Sequence, residues 1–252
     1  MDLQNTERFS NRVDDYVKYR PGYPPALIRY LEEEQGLIPG QFIADIGAGT
    51  GISSSLFLRA GYRVFGVEPN KEMREKAIEL LNDQAAFIPV EGTAEQTNLD
   101  SESVDLVIAA QAFHWFDHAK AKKEFRRILR PNGKMVLLWN QRLTDTPFEQ
   151  AYDEVIIRHG NKYVEPETRF TSADIDKFYS PGKPVLKVFS NKQEFNFEGL
   201  KGRLLSSSYM PARNEAGYDV MVKDLETVFI RFQDNGLVRL NYNTNLVVGP
   251  LN

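Results

Sequence analysis

The stretch IADIGAGTG, Ile43 to Gly51, runs from an apolar segment through one aspartate into glycines at alternate positions. FIADI, apolar except for Asp45, reads as a buried strand. Gly47, Gly49 and Gly51 then read as a tight turn whose bare backbone lets a ligand approach closely, with a helix opening near Ile52.

Outward from this turn, the chain alternates β-rich runs with helical stretches. FIADI is followed by SSSLFLRAG, YRVFGVE by NKEMREKAIELL, AAFIPVE by a loop, VDLVIAA by HAKAKKEFRRIL, and the series closes on GKMVLLWN. Such alternation predicts an α/β fold, a doubly wound and mostly parallel sheet with right-handed crossovers. RPNG, Arg130 to Gly133, reads as a helix stop. Upstream, the spacing predicts one helix ending near Lys18, an extended break at Arg20-Pro21 and a second helix from about Pro24. Downstream, a helical, aromatic-rich insertion covers about Pro147 to Phe178. VLKVFSNKQEF and VRLNYNTNLVVGP alternate as strands around another helical stretch, and are expected to extend one edge of the sheet, the last as a hairpin partner. The expectation is one domain: N-terminal cap helices over 1–40, a ligand-binding core over 41–140, and cap insertions with the last strands over 141–252.

Composition narrows the chemistry. With 252 residues, 42% hydrophobic and 26% charged, the chain has enough material for a sizeable core. It contains no cysteine, which excludes disulfides, thiolate metal sites and cysteine nucleophiles and suits a reducing compartment. MDLQNTERFS lacks the basic-then-apolar layout of a signal peptide, and about 18 consecutive apolar residues occur nowhere, so a cytoplasmic location without membrane insertion is expected. Net charge is −4, giving no global positive field for a phosphate backbone. The basic run KAKKEFRRILR, Lys120 to Arg130, carries Phe125, Ile128 and Leu129 at helical spacing and reads as the solvated face of an amphipathic helix. Nucleic acid is therefore not the expected partner.

The glycine turn gains meaning from Glu68. YRVFGVE ends on this acid at the tip of the next predicted strand, where a carboxylate can accept hydrogen bonds from both ribose hydroxyls. A nicotinamide oxidoreductase would share the strand, the glycines and the acid. Its fingerprint, however, is G-x-G-x-x-G, and here the third glycine comes one residue early, as G-A-G-T-G.

DIGAGTG, Asp45 to Gly51, resembles the first motif of the class I S-adenosylmethionine-dependent methyltransferases. VEPNKEMREKA is similar to that family's second-strand acid and following helix, and VDLVIAAQAFHWFD to its fourth strand and loop. The resemblance covers roughly residues 9–140 and is nearest to small-molecule methyltransferases of the ubiquinone-biosynthesis and trans-aconitate type. It implies a seven-stranded Rossmann-like sheet with helical cap insertions, and S-adenosyl-L-methionine as cofactor with S-adenosyl-L-homocysteine as product. By the same resemblance Gly47, Ala48 and Gly49 line the methionine part of the cofactor and Asp45 supports the turn and reaches toward its amino group. Glu68 holds the ribose, Pro69 flanks the adenine, and Gln111 lies near the methionine portion. The family often has an aspartate after the third strand. EGTAEQTNL places Thr93 there, offering a hydroxyl acceptor, with the Ala94 amide beside it. The N-terminal segment folds over the cofactor in related enzymes, so Tyr19 and Arg20 are candidates for its carboxylate.

Reactive groups are fewer. His114, in the loop AAQAFHWFD, is the candidate general base because an imidazole titrates near neutrality; its alternative role is packing beside Trp115. His114, Asp117 and His118 lack a further ligand, and no metal is expected. SSSYM, Ser206 to Met210, and Phe229 to Phe232 read as core or as substrate-pocket walls. The N-P-P-Y type motif of nucleic-acid amino methyltransferases is missing, and a cytosine-carbon mechanism would need a cysteine. A small-molecule acceptor, methylated at a carboxylate or hydroxyl, is the expectation. A non-catalytic protein that kept the cofactor pocket is the rival from another class.

Overall fold

The computed structural model describes residues 17–161, 171–207 and 209–251. Tyr16, most of the first predicted helix and Ser208 lie outside these residues. The chain order is α1 (Ala26–Glu33), β1 (Phe42–Ile46), α2 (Ile52–Arg59), β2 (Arg63–Val67), α3 (Lys71–Leu80), β3 (Phe87–Val90) and β4 (Val104–Ala110). A short 3-10 turn, Phe113–Trp115, leads to α4 (His118–Ile128) and β5 (Leu129–Arg142). Then follow α5 (Pro147–His159), α6 (Ser172–Tyr179), β6 (Val185–Phe195), α7 (Phe197–Leu205), α8 (Tyr218–Phe232) and β7 (Val238–Gly249).

Seven strands form one sheet in the order β3-β2-β1-β4-β5-β7-β6. The first five are parallel, whereas β7 runs antiparallel to both β5 and β6. The order reverses direction between β1 and β4, the switch point at which open α/β sheets take their ligands. Because both faces are covered, the central strands are apolar almost throughout rather than alternating. Ile43, Val64, Leu106, Ile108 and Val136 pack beneath α1 and α2. Ala44, Ile46, Val107, Met135 and Leu137 pack on the opposite face with α4 and α6.

The helix stops just before RPNG as expected, but RPNG itself falls inside the next strand. Helix α4 ends at Ile128 and Leu129 already pairs with Val104, but the next pair is Leu106 with Lys134. Arg130 to Gly133 therefore bulge from inside β5, with Asn132 at φ +69°. Pro131 cannot donate to a ladder, so the chain is looped out and the strand resumes beyond it.

A third apolar cluster forms the cap. Phe148, Tyr152 and Ile156 of α5 meet Leu200 and Leu204 of α7, Met221 and Leu225 of α8, and Leu240 and Tyr242 of β7. Met210 is buried in it, with Phe229 and Phe232 packed at its margin, so the late aromatics serve as cap core.

Candidate active site

The glycine turn connects β1 to α2 directly above the switch point. The amides of Gly47 and Ala48 both donate to the Val67 carbonyl, at 2.8 and 3.2 Å, and that of Gly49 to Glu68 Oε2 at 2.9 Å. These N–H groups point at β2 rather than outward. A pyrophosphate cradle needs the reverse orientation, so the geometry disfavours a dinucleotide and sets the Glu68 carboxylate against the turn.

Two glycines have separable reasons to be there. Gly49 sits at φ +57° and a Cβ added to it would meet nothing within 4 Å, so open space lies over it. Gly47, at φ +69°, is packed: a Cβ would lie 2.7 Å from Ala112 Cβ. One position keeps room for a ligand and the other lets the loop after β4 close against the turn.

Asp45 is fully buried at the end of β1. Its Oδ2 accepts from the Ser53 and Ser54 hydroxyls, each at 2.7 Å, while Oδ1 accepts from none of the described residues. Burial pushes this carboxyl up to about 6, against the lowering effect of the two serines. A buried acceptor left open costs free energy unless a donor completes it. The ammonium of a bound amino acid is a donor of the right charge. Thr50, next to Gly49, is likewise buried with its hydroxyl unmatched among the described residues.

Glu68 is 9% exposed, with Oε1 on the Asn70 amide and Oε2 on the Gly49 amide, both at 2.9 Å. Burial raises its carboxyl above the usual range, opposed by those two N–H groups. The acid thus ties the glycine turn to the tip of β2 while its remaining lone pairs stay available for hydroxyl donors. Arg74 Nη1 donates to the carbonyls of Glu68 and Pro69, at 2.8 and 3.3 Å, and fixes the same tip. Together these groups set a buried, open carboxylate oxygen, a bare backbone and a second carboxylate around one turn.

The remaining sequence candidates fall into three places. Thr93 closes a small turn, its amide donating to Gln96 O and its hydroxyl accepting from the Gln96 amide at 3.2 Å, and Ala94 beside it is buried. Gln111 and His114 belong to the loop after β4 and line a small cleft, of about the size of a water molecule, with Ala112, Leu138 and Trp139. Gln111 is held at φ +58°, its amide donating to Leu138 O at 2.8 Å and its side chain to Asn140 O at 3.3 Å. A non-glycine residue at such an angle is costly and typical of functional loops. The His114 ring lies 4.7 Å from that of Trp115. His118 is separate: its ring stacks on Phe113 at 4.1 Å and its Nε2 is 3.1 Å from Phe113 O, while Asp117 caps α4. Among the described residues no three His, Cys, Asp or Glu gather as metal ligands.

Tyr19 and Arg20 contact the cap. The Tyr19 ring lies over Gly202 of α7, where a Cβ would stand 2.0 Å from Cε2, and its carbonyl accepts from Gln193 Nε2. Arg20 Nη2 donates to Ser206 O at 2.8 Å. Their observed contacts join the N-terminal segment to α7 and β6. Asn140, which the sequence reading passed over, extends this joint: its Nδ2 reaches the Gly22 carbonyl at 3.1 Å and its Oδ1 accepts from Thr244. Its place at the end of β5, just before the apolar pattern breaks, was the available signal.

A family model described as a methyltransferase domain matches residues 44–137. An uncharacterized methyltransferase of Schizosaccharomyces pombe is 31% identical over 205 residues, 79% of this chain and 77% of that protein. The chain belongs to the class I S-adenosylmethionine-dependent methyltransferases. An uncharacterized methyltransferase of Mycobacterium tuberculosis is 37% identical over 153 residues, spanning 61% of this chain and 60% of the relative's length. A solved structure from Anaeromyxobacter dehalogenans, provisionally described as a type II methyltransferase, superposes with a TM-score of 0.69 at 22% identity, covering 92% of this chain and 98% of that one. That last likeness speaks to the methyltransferase fold alone.

Proposed function

We propose that this chain binds S-adenosyl-L-methionine and transfers its methyl group to a small-molecule acceptor, at a carboxylate or hydroxyl oxygen. The observation that carries the reading is the buried Asp45, whose Oδ1 accepts from none of the described residues, beside an open Gly49 and the Glu68 carboxylate. Asp45 receives the amino group, Glu68 the ribose hydroxyls, and Thr93 and Ala94 with Pro69 flank the base; Gly47, Ala48 and Gln111 border the methionine portion. Tyr19 and Arg20 close the cofactor from the N-terminal side in this reading.

When bound, S-adenosylmethionine would supply an electrophilic methyl carbon: the acceptor oxygen would bond to it as the carbon–sulfur bond breaks and S-adenosylhomocysteine leaves as a neutral thioether. The chain's contribution is then alignment and exclusion of water, which together supply much of the rate. Gln111 and Trp139 wall the cleft after β4 and β5, and His114 takes the proton of a hydroxyl acceptor. An already ionised carboxylate asks for no base, so loss of His114 separates the two acceptor types. The acidic balance of the chain supports a diffusible acceptor over nucleic acid, and no helix among the described residues is long and apolar enough to cross a membrane. A cytoplasmic site of action completes the proposal.

Calorimetric titration with S-adenosylhomocysteine and NAD tests the cofactor. Binding of the first and not the second is expected, and the reverse overturns the reading. A screen with methyl-labelled cofactor over small carboxylates and alcohols tests turnover; tight cofactor binding with no transfer to any acceptor would favour a non-catalytic binding protein.

A further inference from the structure

Arg203 in α7 is 8% exposed, and its partners are weak. Nε is 3.3 Å from the Tyr242 hydroxyl, and Nη1 is 3.4 and 3.5 Å from the Ser206 and Ser207 hydroxyls. Nη2 donates to none of the described residues, and no carboxylate pairs with the guanidinium among them. Two buried or half-buried acids of the cap are engaged elsewhere. Glu149 is filled by the amides of Asp145, Thr146 and Asn241 and by the Asn241 side chain, and Asp153 pairs with Arg142. Tyr152, 1% exposed and within electrostatic reach of Arg203, makes no hydrogen bond through its hydroxyl among the described residues. A buried cation without a counter-ion, beside an unmatched hydroxyl, is expensive to maintain. Tyr242 lies between Arg203 and Gln193, pairing in register with Arg142. That is two residues, about 7 Å, along β5 from Asn140, whose carbonyl holds Gln111.

We propose that Arg203, with Tyr152, is the docking point for a carboxylate of the methyl acceptor, which would thus be an organic acid held between the cap and the cleft after β4. The inference rests on the methyltransferase reading. Guanidinium geometry matches a planar carboxylate through two parallel N–H groups, and a single unpaired cation matches a single negative charge better than a phosphate dianion.

The test is calorimetric titration of the full chain saturated with S-adenosylhomocysteine, using acetate, succinate and glutarate, their neutral methyl esters, and inorganic phosphate. At least one of the carboxylates binds in the wild type and its ester does not. Arg203→Met weakens that carboxylate at least about tenfold and leaves S-adenosylhomocysteine affinity unchanged. Arg203→Lys, which keeps the charge and loses the fork, falls between the two and serves alone if the methionine variant does not fold. The proposal is overturned if no carboxylate binds, if the esters bind equally well, if phosphate is preferred, or if both variants titrate as wild type. Failure of S-adenosylhomocysteine to bind the wild type would instead sink the cofactor assignment, while carboxylate binding to the unloaded chain and its loss in the Arg203 variants would still report on this site.

Discussion

Replacing Asp45 with asparagine should make the ligand-free protein less pH-sensitive while weakening the proposed cofactor site. The wild-type carboxyl titrates near 3.8 when unfolded and about 6 when folded, because burial penalises its charge. Over that window the folded state holds a proton that the unfolded chain has released, so stability falls as pH rises. Above about pH 6 the accumulated cost is about 3 kcal/mol, at 1.36 kcal/mol for each pKa unit. Asparagine keeps an oxygen for Ser53 and Ser54 and carries no charge. Its buried NH₂ adds a cost of about 1–3 kcal/mol, but that offset is the same at every pH. The readout is therefore the difference between the two proteins as a function of pH. Urea unfolding of both, without ligand, between about pH 4.5 and pH 7.5 should show Asp45→Asn gaining on wild type by up to about 3 kcal/mol. At this chain length that equals roughly 6–12 °C in melting midpoint. Titration with S-adenosylhomocysteine should show affinity reduced about tenfold or more, the loss of one charge-assisted hydrogen bond. Parallel pH curves for the two proteins would refute the assignment of Asp45 as a strained, ligand-awaiting acid.

Glu68→Gln supplies one acceptor where two amides now bond, and should weaken S-adenosylhomocysteine about five- to a hundredfold, worth ~1–3 kcal/mol; calorimetry returning a Kd within twofold of wild type contradicts the ribose role. Gly47→Ala forces a methyl against Ala112 and should lower the melting midpoint more than Gly49→Ala, whose methyl enters open space and chiefly costs cofactor affinity. Equal effects on both measurements would remove the distinction. His114→Gln should reduce kcat on a hydroxyl acceptor by about 10²- to 10⁴-fold with cofactor affinity unchanged, and a wild-type kcat would retire the imidazole as base.

The glycine-turn end of this molecule was readable because its logic is local. A strand, a glycine turn and an acid at the next strand tip lie within residues 42–68, and the period of the apolar residues places each on its element. What escaped reading depends on surfaces that meet only after folding. The Gly49 amide bonding to Glu68 spans two strands, and nothing in IADIGAGTG says that its N–H groups turn toward β2. RPNG reads as punctuation, yet whether the strand begins before or after it is settled by Leu129 pairing with Val104. Arg203 in FEGLKGRLL looks like one more charge on a short helix. Only the closing of α5 and β7 over it makes it a buried cation.

The position of β7 has a consequence for biosynthesis. β5 is finished at Arg142, but its second sheet neighbour is residues 238–249, and among the described residues β6 pairs with that same strand alone. A nascent chain therefore carries an exposed β5 edge while more than a third of the protein is still being made. The glycine turn, Asp45 and Glu68 need none of that late segment for their own contacts, whereas Tyr242 and the Arg142 register do. Ribosome-stalled chains should assemble the glycine turn with its Asp45 and Glu68 contacts before the contacts of Tyr242, with the open edge as the point most exposed to mispairing between neighbours on one message.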